Sequence, residues 1–93
     1  MRLGTVTQQS TERKSYSVDY TDALDAGDGI SQVLWCAASD DSLTVTPVMV
    51  SETRVRLWVS GGVSNVTYVI TLRVATAGGE ILEDELICRV KDL

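Results

Sequence analysis

The sequence contains no histidine, and this absence removes several classes of catalytic site. Serine and cysteine nucleophiles commonly depend on a histidine base, and most transition-metal sites include histidine ligands. No glycine-rich loop precedes a helix, so a phosphate-binding loop is excluded as well. We therefore expect a protein that is not an enzyme and that carries no cofactor and no metal.

Long apolar runs are also missing, because no stretch reaches the about 20 residues that span a bilayer. The first residues, Met1 to Gly4, lack the apolar stretch of a secretory signal. Eight basic and thirteen acidic residues give a net charge of −5. Charge of this sign disfavours contact with phosphate backbones and with anionic lipid. We expect neither a nucleic acid nor a membrane as partner.

Cysteine is scarce, with Cys36 and Cys88 the two present. Both fall in predicted strands among apolar neighbours, where a free cysteine acts as a small hydrophobic residue. Without an export signal we expect a reducing compartment, in which disulfides are rare. Buried free thiols are the preferred interpretation, and a disulfide between the two cysteines is the alternative.

Alternation of apolar and polar residues with a period of two runs through almost the whole chain and predicts β-strands. In chain order, the predicted strands cover residues 16–20, 30–37, 43–49, 54–60, 68–74 and 82–90. Turn signals rich in glycine, aspartate and serine separate them. Phenylalanine is absent, so the core must be aliphatic with a few large aromatic side chains. The spacing favours one all-β domain over residues 1–93, an immunoglobulin-like β-sandwich of about seven short antiparallel strands, with a small barrel as the alternative.

Three further features predict where particular residues lie. Trp35, in the most apolar strand, is expected to be the core aromatic of the sandwich, although the alternation leaves open which face of that strand is buried. Pro47 cannot donate a ladder hydrogen bond, which places its strand at a sheet edge. Glu83 and Glu85 share one face of the last strand, where we expect a solvated edge that discourages unwanted pairing rather than a functional acid pair.

The segment 21–29 is predicted to connect two strands without forming a long element. Thr21 is a candidate cap for a single helical turn that ends near Asp25. Asp25 and Asp28 vaguely suggest a calcium loop, but the spacing lacks the full ligand set and the closing glutamate. A tight turn before the next strand is the preferred interpretation.

The candidate partner-binding residues are Arg54, Arg56 and Trp58. They alternate with three apolar residues of the 54–60 strand and are therefore expected to face outward. A tryptophan beside arginines on an outward face has the composition of an interface hot spot. The alternative is that Trp58 packs beneath a loop or stacks on an arginine of its own chain.

Two segments resemble a family of small virion proteins of tailed phages. The first includes Leu3-Gly4-Thr5, residues 16–24 and Gly27-Asp28, and the second is residues 55–62 followed by Tyr68, Ile70 and Thr71. Proteins of this kind are described as phage fibre–tail adaptors and are similar to immunoglobulin-like sandwiches. The resemblance implies a structural subunit of the virion, made in the cytoplasm of a bacterial host. It also implies several copies in each particle, bound to tail and fibre proteins.

Two other functions stay open at this point. A head decoration protein would bind assembled capsids and ignore purified tails. A surface module for carbohydrate or a receptor should show a cluster of exposed aromatic side chains, whereas the alternation predicts one exposed tryptophan, Trp58.

Overall fold

The structure is a computed structural model that describes the backbone of residues 2–93 and the side chains from residue 3 onward. It contains seven strands: β1 (Arg2–Gln8), β2 (Arg13–Asp19), β3 (Ile30–Ala38), β4 (Leu43–Met49), β5 (Arg54–Gly61), β6 (Val66–Thr76) and β7 (Ile81–Val90). Within this described part of the chain, no helix has the length and apolar character needed to cross a membrane.

The strands form two sheets that pack as a sandwich. The four-stranded sheet has the order β1-β7-β6-β3, and the three-stranded sheet has the order β2-β5-β4. Lettered A to G along the chain, the sheets read A-G-F-C and B-E-D, an immunoglobulin-like order in which the first strand lies beside the last. The ladders β2–β5, β3–β6, β4–β5 and β6–β7 are antiparallel as predicted, whereas β1 pairs with β7 in parallel.

The core lies between the sheets and is supplied mainly by β5 and β6. The apolar core residues supplied by β5 and β6 are at most 1% exposed: Val55, Leu57, Val59, Tyr68, Ile70, Leu72 and Val74. Tyr20 and Tyr68 are the largest fully buried side chains. The aromatic volume that a core without phenylalanine needs therefore comes from tyrosine.

Tyr68, near the start of β6, ties its strand to the preceding corner of the chain. Its hydroxyl oxygen accepts a hydrogen bond from the backbone N–H of Val63 at 2.8 Å and shares another with Ser42 Oγ at 2.7 Å. This arrangement is similar to the tyrosine corner of immunoglobulin-like domains. Gly62 completes the corner: its φ is +91°, and a Cβ there would lie 2.8 Å from Cγ2 of Val90.

Trp35 is not the core aromatic, so that prediction is wrong. It is 55% exposed and lies opposite Arg73 of β6. The reason is a register shift between Val33 and Trp35, which allows both Val33 and Cys36 to pack against the core. Such a bulge breaks the strict alternation of a strand. Leu34 and Trp35 are consequently both exposed.

The two predictions about sheet edges have opposite outcomes. Pro47 lies in β4, which is an edge strand of the three-stranded sheet, as predicted. Glu83 and Glu85 do not form an edge, because β7 lies between β1 and β6. Arg73 on β6 instead bonds Oε1 of Glu83 through Nε at 3.0 Å and Nη2 at 2.6 Å. Glu83 and Glu85 thus lie on the outer surface of an internal strand.

Asp84, between these glutamates, points the other way and is buried at 4% exposure. Burial and the nearby Asp84 carboxylate raise the pKa of the Tyr20 hydroxyl above its usual value. The core therefore contains one carboxylate beside one of its two large tyrosines.

Candidate functional site

The three predicted partner-binding residues lie together on the outer face of the three-stranded sheet. β5 is the central strand of this sheet, and its outward residues include Arg54, Arg56 and Trp58. Arg13, on the neighbouring strand β2, joins the same face beside Ser60. We call the surface formed by Arg13, Arg54, Arg56 and Trp58 the arginine face.

Trp58 is half-buried because an arginine of the same chain stacks on it. The guanidinium carbon of Arg13 lies 4.2 Å from the centroid of the Trp58 ring, a distance typical of a cation–π contact. Across the two ladders, Trp58 is flanked by Ser15 and Thr46, whose small side chains leave the ring standing above the sheet. Stacking on an arginine of the same chain was one of the alternatives to an interface role for Trp58. The arginine is Arg13 of β2, and not Arg54 or Arg56 of β5.

Arg54, at the end of the arginine face where β5 begins, forms an ion pair with Asp19. Its Nη2 donates to Oδ2 of Asp19 at 3.2 Å, and the pair is about half exposed. The other carboxylate oxygen, Oδ1, accepts from the hydroxyl of Thr21 at 2.6 Å and from its backbone N–H at 2.9 Å. The Thr21 hydroxyl, the Thr21 amide and Arg54 together lower the pKa of Asp19 to about 2.

Arg56, at the middle of the arginine face, is half-buried between Ser17 and Val48 on the neighbouring strands. Among the side chains that the structure describes, no carboxylate lies within ion-pair distance of its guanidinium. Val48 is 44% exposed. The arginine face thus combines positive charge, an aromatic ring and an exposed aliphatic side chain in a protein whose net charge is −5.

Trp35 is a second outward aromatic side chain, which the alternation of its strand did not predict. It lies on the outer face of the four-stranded sheet, in register with the Arg73–Glu83 pair. Arg13 was also missed, although continuing the alternation of Ser17 and Ser15 backwards by two residues reaches it. The exposure of Trp35 could not be predicted, because the bulge interrupts the alternation of β3. A strand that alternates strictly buries either Leu34 or Trp35, whereas both are exposed here.

The segment around Asp25 and Asp28 forms the turn that was preferred over a calcium loop. The N–H of Asp28 donates to the carbonyl of Asp25 at 3.0 Å, and Oδ1 of Asp28 accepts from the amides of Gly29 at 2.8 Å and Gly78 at 2.9 Å. Asp28 therefore fastens the 77–80 turn to the start of β3. In the described residues, no group of three or more potential ligands is arranged to hold a metal ion.

The preceding helical turn is present, but Thr21 is not its cap. The carbonyl of Tyr20 accepts from the amides of Ala23 at 2.9 Å and Leu24 at 3.1 Å, so Tyr20 occupies the N-cap position, one residue earlier than predicted. The amide and hydroxyl of Thr21 donate instead to the side chain of Asp19.

Both cysteines are free thiols, as preferred from the sequence. Cys88 is buried and Cys36 is half-buried. They lie on strands separated by β6, and their partners on it, Leu72 and Tyr68, are four residues apart. Strand geometry places the two cysteines about 13 Å apart along the strands and about 10 Å across them, too far for a disulfide. Burial raises the pKa of the Cys36 thiol to about 11.

Comparison with known families assigns the chain to a group of phage proteins. A family model described as the podophage GP4 fiber-tail adaptor protein gp77 matches residues 8–89. The chain belongs to this family. A search of curated proteins finds no match. The family description names a fiber-tail adaptor protein of podophages, so membership implies that this chain is a virion component with a structural, adaptor role. The resemblance to phage fibre–tail adaptors, stated mainly from residues 16–24 and 55–62, is thereby confirmed.

The segments that carried the resemblance contain both structural and exposed residues. The side chain of Asp19 accepts hydrogen bonds from Thr21, Tyr20 lies in the core, and Gly62 allows close packing at the Tyr68 corner. Arg56 and Trp58, in the second segment, belong to the arginine face.

Proposed function

We propose that this protein connects the phage tail to its fibres through protein–protein contacts, and that the arginine face is one of its binding surfaces. Membership of the fiber-tail adaptor family supports the role. The observation that carries the choice of surface is the position of Arg56, which has no carboxylate within ion-pair distance among the described side chains and lies opposite the exposed Val48, on the same face as Trp58. Residues 1–93 act in this proposal as one domain, present in several copies in the particle and made in the cytoplasm of a bacterial host.

The chemistry of the arginine face supports a protein partner. Tryptophan and arginine dominate interface hot spots, because both bury large areas and tolerate a polar rim. Ser15, Ser17 and Thr46 supply such a rim around the central aromatic ring. An acidic patch on the partner would complement Arg13 and Arg56 and would speed association. The net charge of −5 supports the absence of nucleic-acid and membrane partners.

The test is co-sedimentation of the purified protein with fibreless tails of its own phage and, separately, with its capsids. We expect binding to tails and none to capsids. Trp58→Ala should weaken tail binding by roughly thirtyfold or more, the effect of losing a hot spot worth about 2 kcal/mol. Arg56→Ala should weaken it by a smaller factor.

Trp35→Ala is the matched control, because it removes the other outward tryptophan from the opposite sheet. It should leave tail binding unchanged. A loss of binding in Trp35→Ala and not in Trp58→Ala would move the binding surface to the four-stranded sheet. Binding to capsids and not to tails would replace the connector with a decoration protein.

A further inference from the structure

The two sheets have unequal widths, and the difference leaves a groove along one side of the sandwich. The four-stranded sheet ends in β1 and the three-stranded sheet ends in β2 on this side. A groove of about 450 Å³ lies there, with Leu3, Val6, Val18 and Leu86 among its lining residues. Leu3 is 37% exposed, and Val6 is only partly covered by the core. The inner surface of β1 therefore lacks the opposing strand that would bury it.

The open edge of β2 offers regular backbone hydrogen-bonding groups to this groove. The N–H of Tyr20 donates to the carbonyl of Thr53 at 2.7 Å, so even-numbered residues of this segment direct their backbone groups toward β5. Backbone groups alternate along a strand, and the ladder between β2 and β5 shows no register shift. The N–H and C=O of Ser15 and Ser17 consequently point toward the open edge.

The other edge of the same sheet is closed to an added strand. The N–H of Val50 donates to Arg54 at 3.0 Å, so by the same alternation Pro47 occupies an outward-pointing position of β4. A proline there costs β4 no ladder bond with β5 and denies an added strand one donor. β3, the edge of the opposite sheet, is bulged twice and packs along β4. β1, the fourth edge strand, has a register shift between Arg2 and Gly4, so β2 is the edge that is both regular and unblocked.

The charge at one end of the groove indicates in which direction a strand added beside β2 would run. The side chains of Lys14, Tyr16 and Val18 lie on the inner side of β2. The Tyr16 hydroxyl donates to Gln8 Oε1 at 2.7 Å, and Lys14 lies closer than Tyr16 to the N-terminal end of β2. Lys14 and Lys91 line a second hollow of about 300 Å³ together with Glu12. Oε1 of Glu12 accepts from the amide of Gln9 at 2.6 Å, and its Oε2 lies 3.8 Å from Nζ of Lys14, so Glu12 offsets the charge of one of the two lysines. The second lysine, Lys91, leaves this end favourable for an acidic side chain.

We propose that the groove between β1 and β2 receives an extended segment of another protein, which adds to β2 as a fourth strand. The segment has apolar side chains at every second position, which cover Leu3, Val6 and Val18, and an acidic residue at the end near Lys14 and Lys91. Addition of a strand to an exposed sheet edge is a common mode of peptide recognition. It would give the sandwich four strands facing four. The groove lies on the inner side of β2 and the arginine face on its outer side, so Ser15 and Ser17 border both, whereas Leu3 and Val6 of β1 belong to the groove alone. Occupation of the groove does not depend on the proposed function.

The test uses the ¹⁵N-labelled full chain and two capped peptides of about seven residues that alternate valine with threonine. One peptide carries glutamate at its N-terminal end and the other at its C-terminal end, so the tighter binder reports parallel or antiparallel addition. We expect amide shifts in NMR spectra, and slowed amide hydrogen exchange, at Ser15 and Ser17. Binding measured in this way is independent of tail co-sedimentation.

Four variants test the proposal further. Ser17→Pro removes one open-edge donor without removing a bond to β5, and should weaken binding by about tenfold or more. Met49→Pro makes the same change on the β4 edge that Pro47 already blocks, and should leave binding unchanged. Leu3→Glu places a charge in the groove at an exposed position and should weaken binding even if Ser17→Pro proves poorly folded. Lys14→Glu should reverse the preference from a peptide ending in glutamate to one ending in lysine.

Absence of shifts at millimolar peptide, or shifts confined to the arginine face, would overturn the proposal. Equal binding by the parent chain and by Leu3→Glu would overturn it as well. Shifts at Ser15 and Ser17 that appear on raising the protein concentration without peptide would assign the edge to a second copy and also overturn it.

Discussion

The corner formed by Tyr68 makes a quantitative prediction about stability. Tyr68→Phe removes a hydroxyl that accepts from the Val63 amide and bonds Ser42 Oγ, while it keeps the buried ring. Each net hydrogen bond contributes about 1 kcal/mol, and the exposed position of Val63 lets water replace part of the loss. We expect unfolding free energy to fall by about 1–2 kcal/mol. For a domain of this size the melting temperature should fall by roughly 5–10 °C.

Urea unfolding followed by tryptophan fluorescence measures this change, and the slope with denaturant should stay that of the parent. Ser42→Ala should cost about 0.5–1 kcal/mol. Because the two variants remove one shared bond, the double variant should cost less than the sum of the single variants. A Tyr68→Phe protein as stable as its parent, or strictly additive losses of unfolding free energy, would contradict a stabilising role for the hydrogen bonds of the Tyr68 hydroxyl.

Two further predictions concern the acid response and the burial assignments. The folded-state pKa of Asp19 lies near 2, below its ordinary value of 3.8, so the carboxylate stabilises the fold above about pH 4 and this contribution is lost as the pH falls toward 2. Asp19→Asn should therefore show a smaller loss of stability than the parent between pH 4 and pH 2 in urea titrations; equal losses would contradict the assignment. Leu57→Ala, at 0% exposure, should cost about 2–5 kcal/mol, whereas Trp35→Ala should change stability by less than about 0.5 kcal/mol. A large cost for Trp35→Ala in the same unfolding assay would show that Trp35 belongs to the core after all.

The strands that could be predicted are those whose inner and outer residues differ in polarity. β5 alternates valine and leucine with arginine and tryptophan, so both its core side and the outward position of Arg56 follow from the sequence. β6 behaves in the same way. Pro47 identified an edge because its missing donor is a property of the residue alone.

The errors arise where position depends on residues far along the chain. Trp35 faces outward because of a bulge that only pairing with β6 creates. The acidic run of β7 suggested an edge, but β1 adds to that strand from the other end of the sequence and makes it internal. Arg13 joins Trp58 through the register of β2 against β5, which no local pattern specifies. β1 itself was not predicted, since its short alternation of threonine and valine is weak.

The parallel pairing of β1 with β7 also determines how the fold carries mechanical load. The ladder runs from Gly4 beside Leu86 to Gln8 beside Val90, with both strands pointing the same way. Tension that enters at the N-terminal end of β1 and leaves at the C-terminal end of β7 slides one strand along the other. All the hydrogen bonds between them then bear the force together, whereas the ends of an antiparallel hairpin open one bond at a time. Force applied in this direction therefore loads the β1–β7 hydrogen bonds in shear.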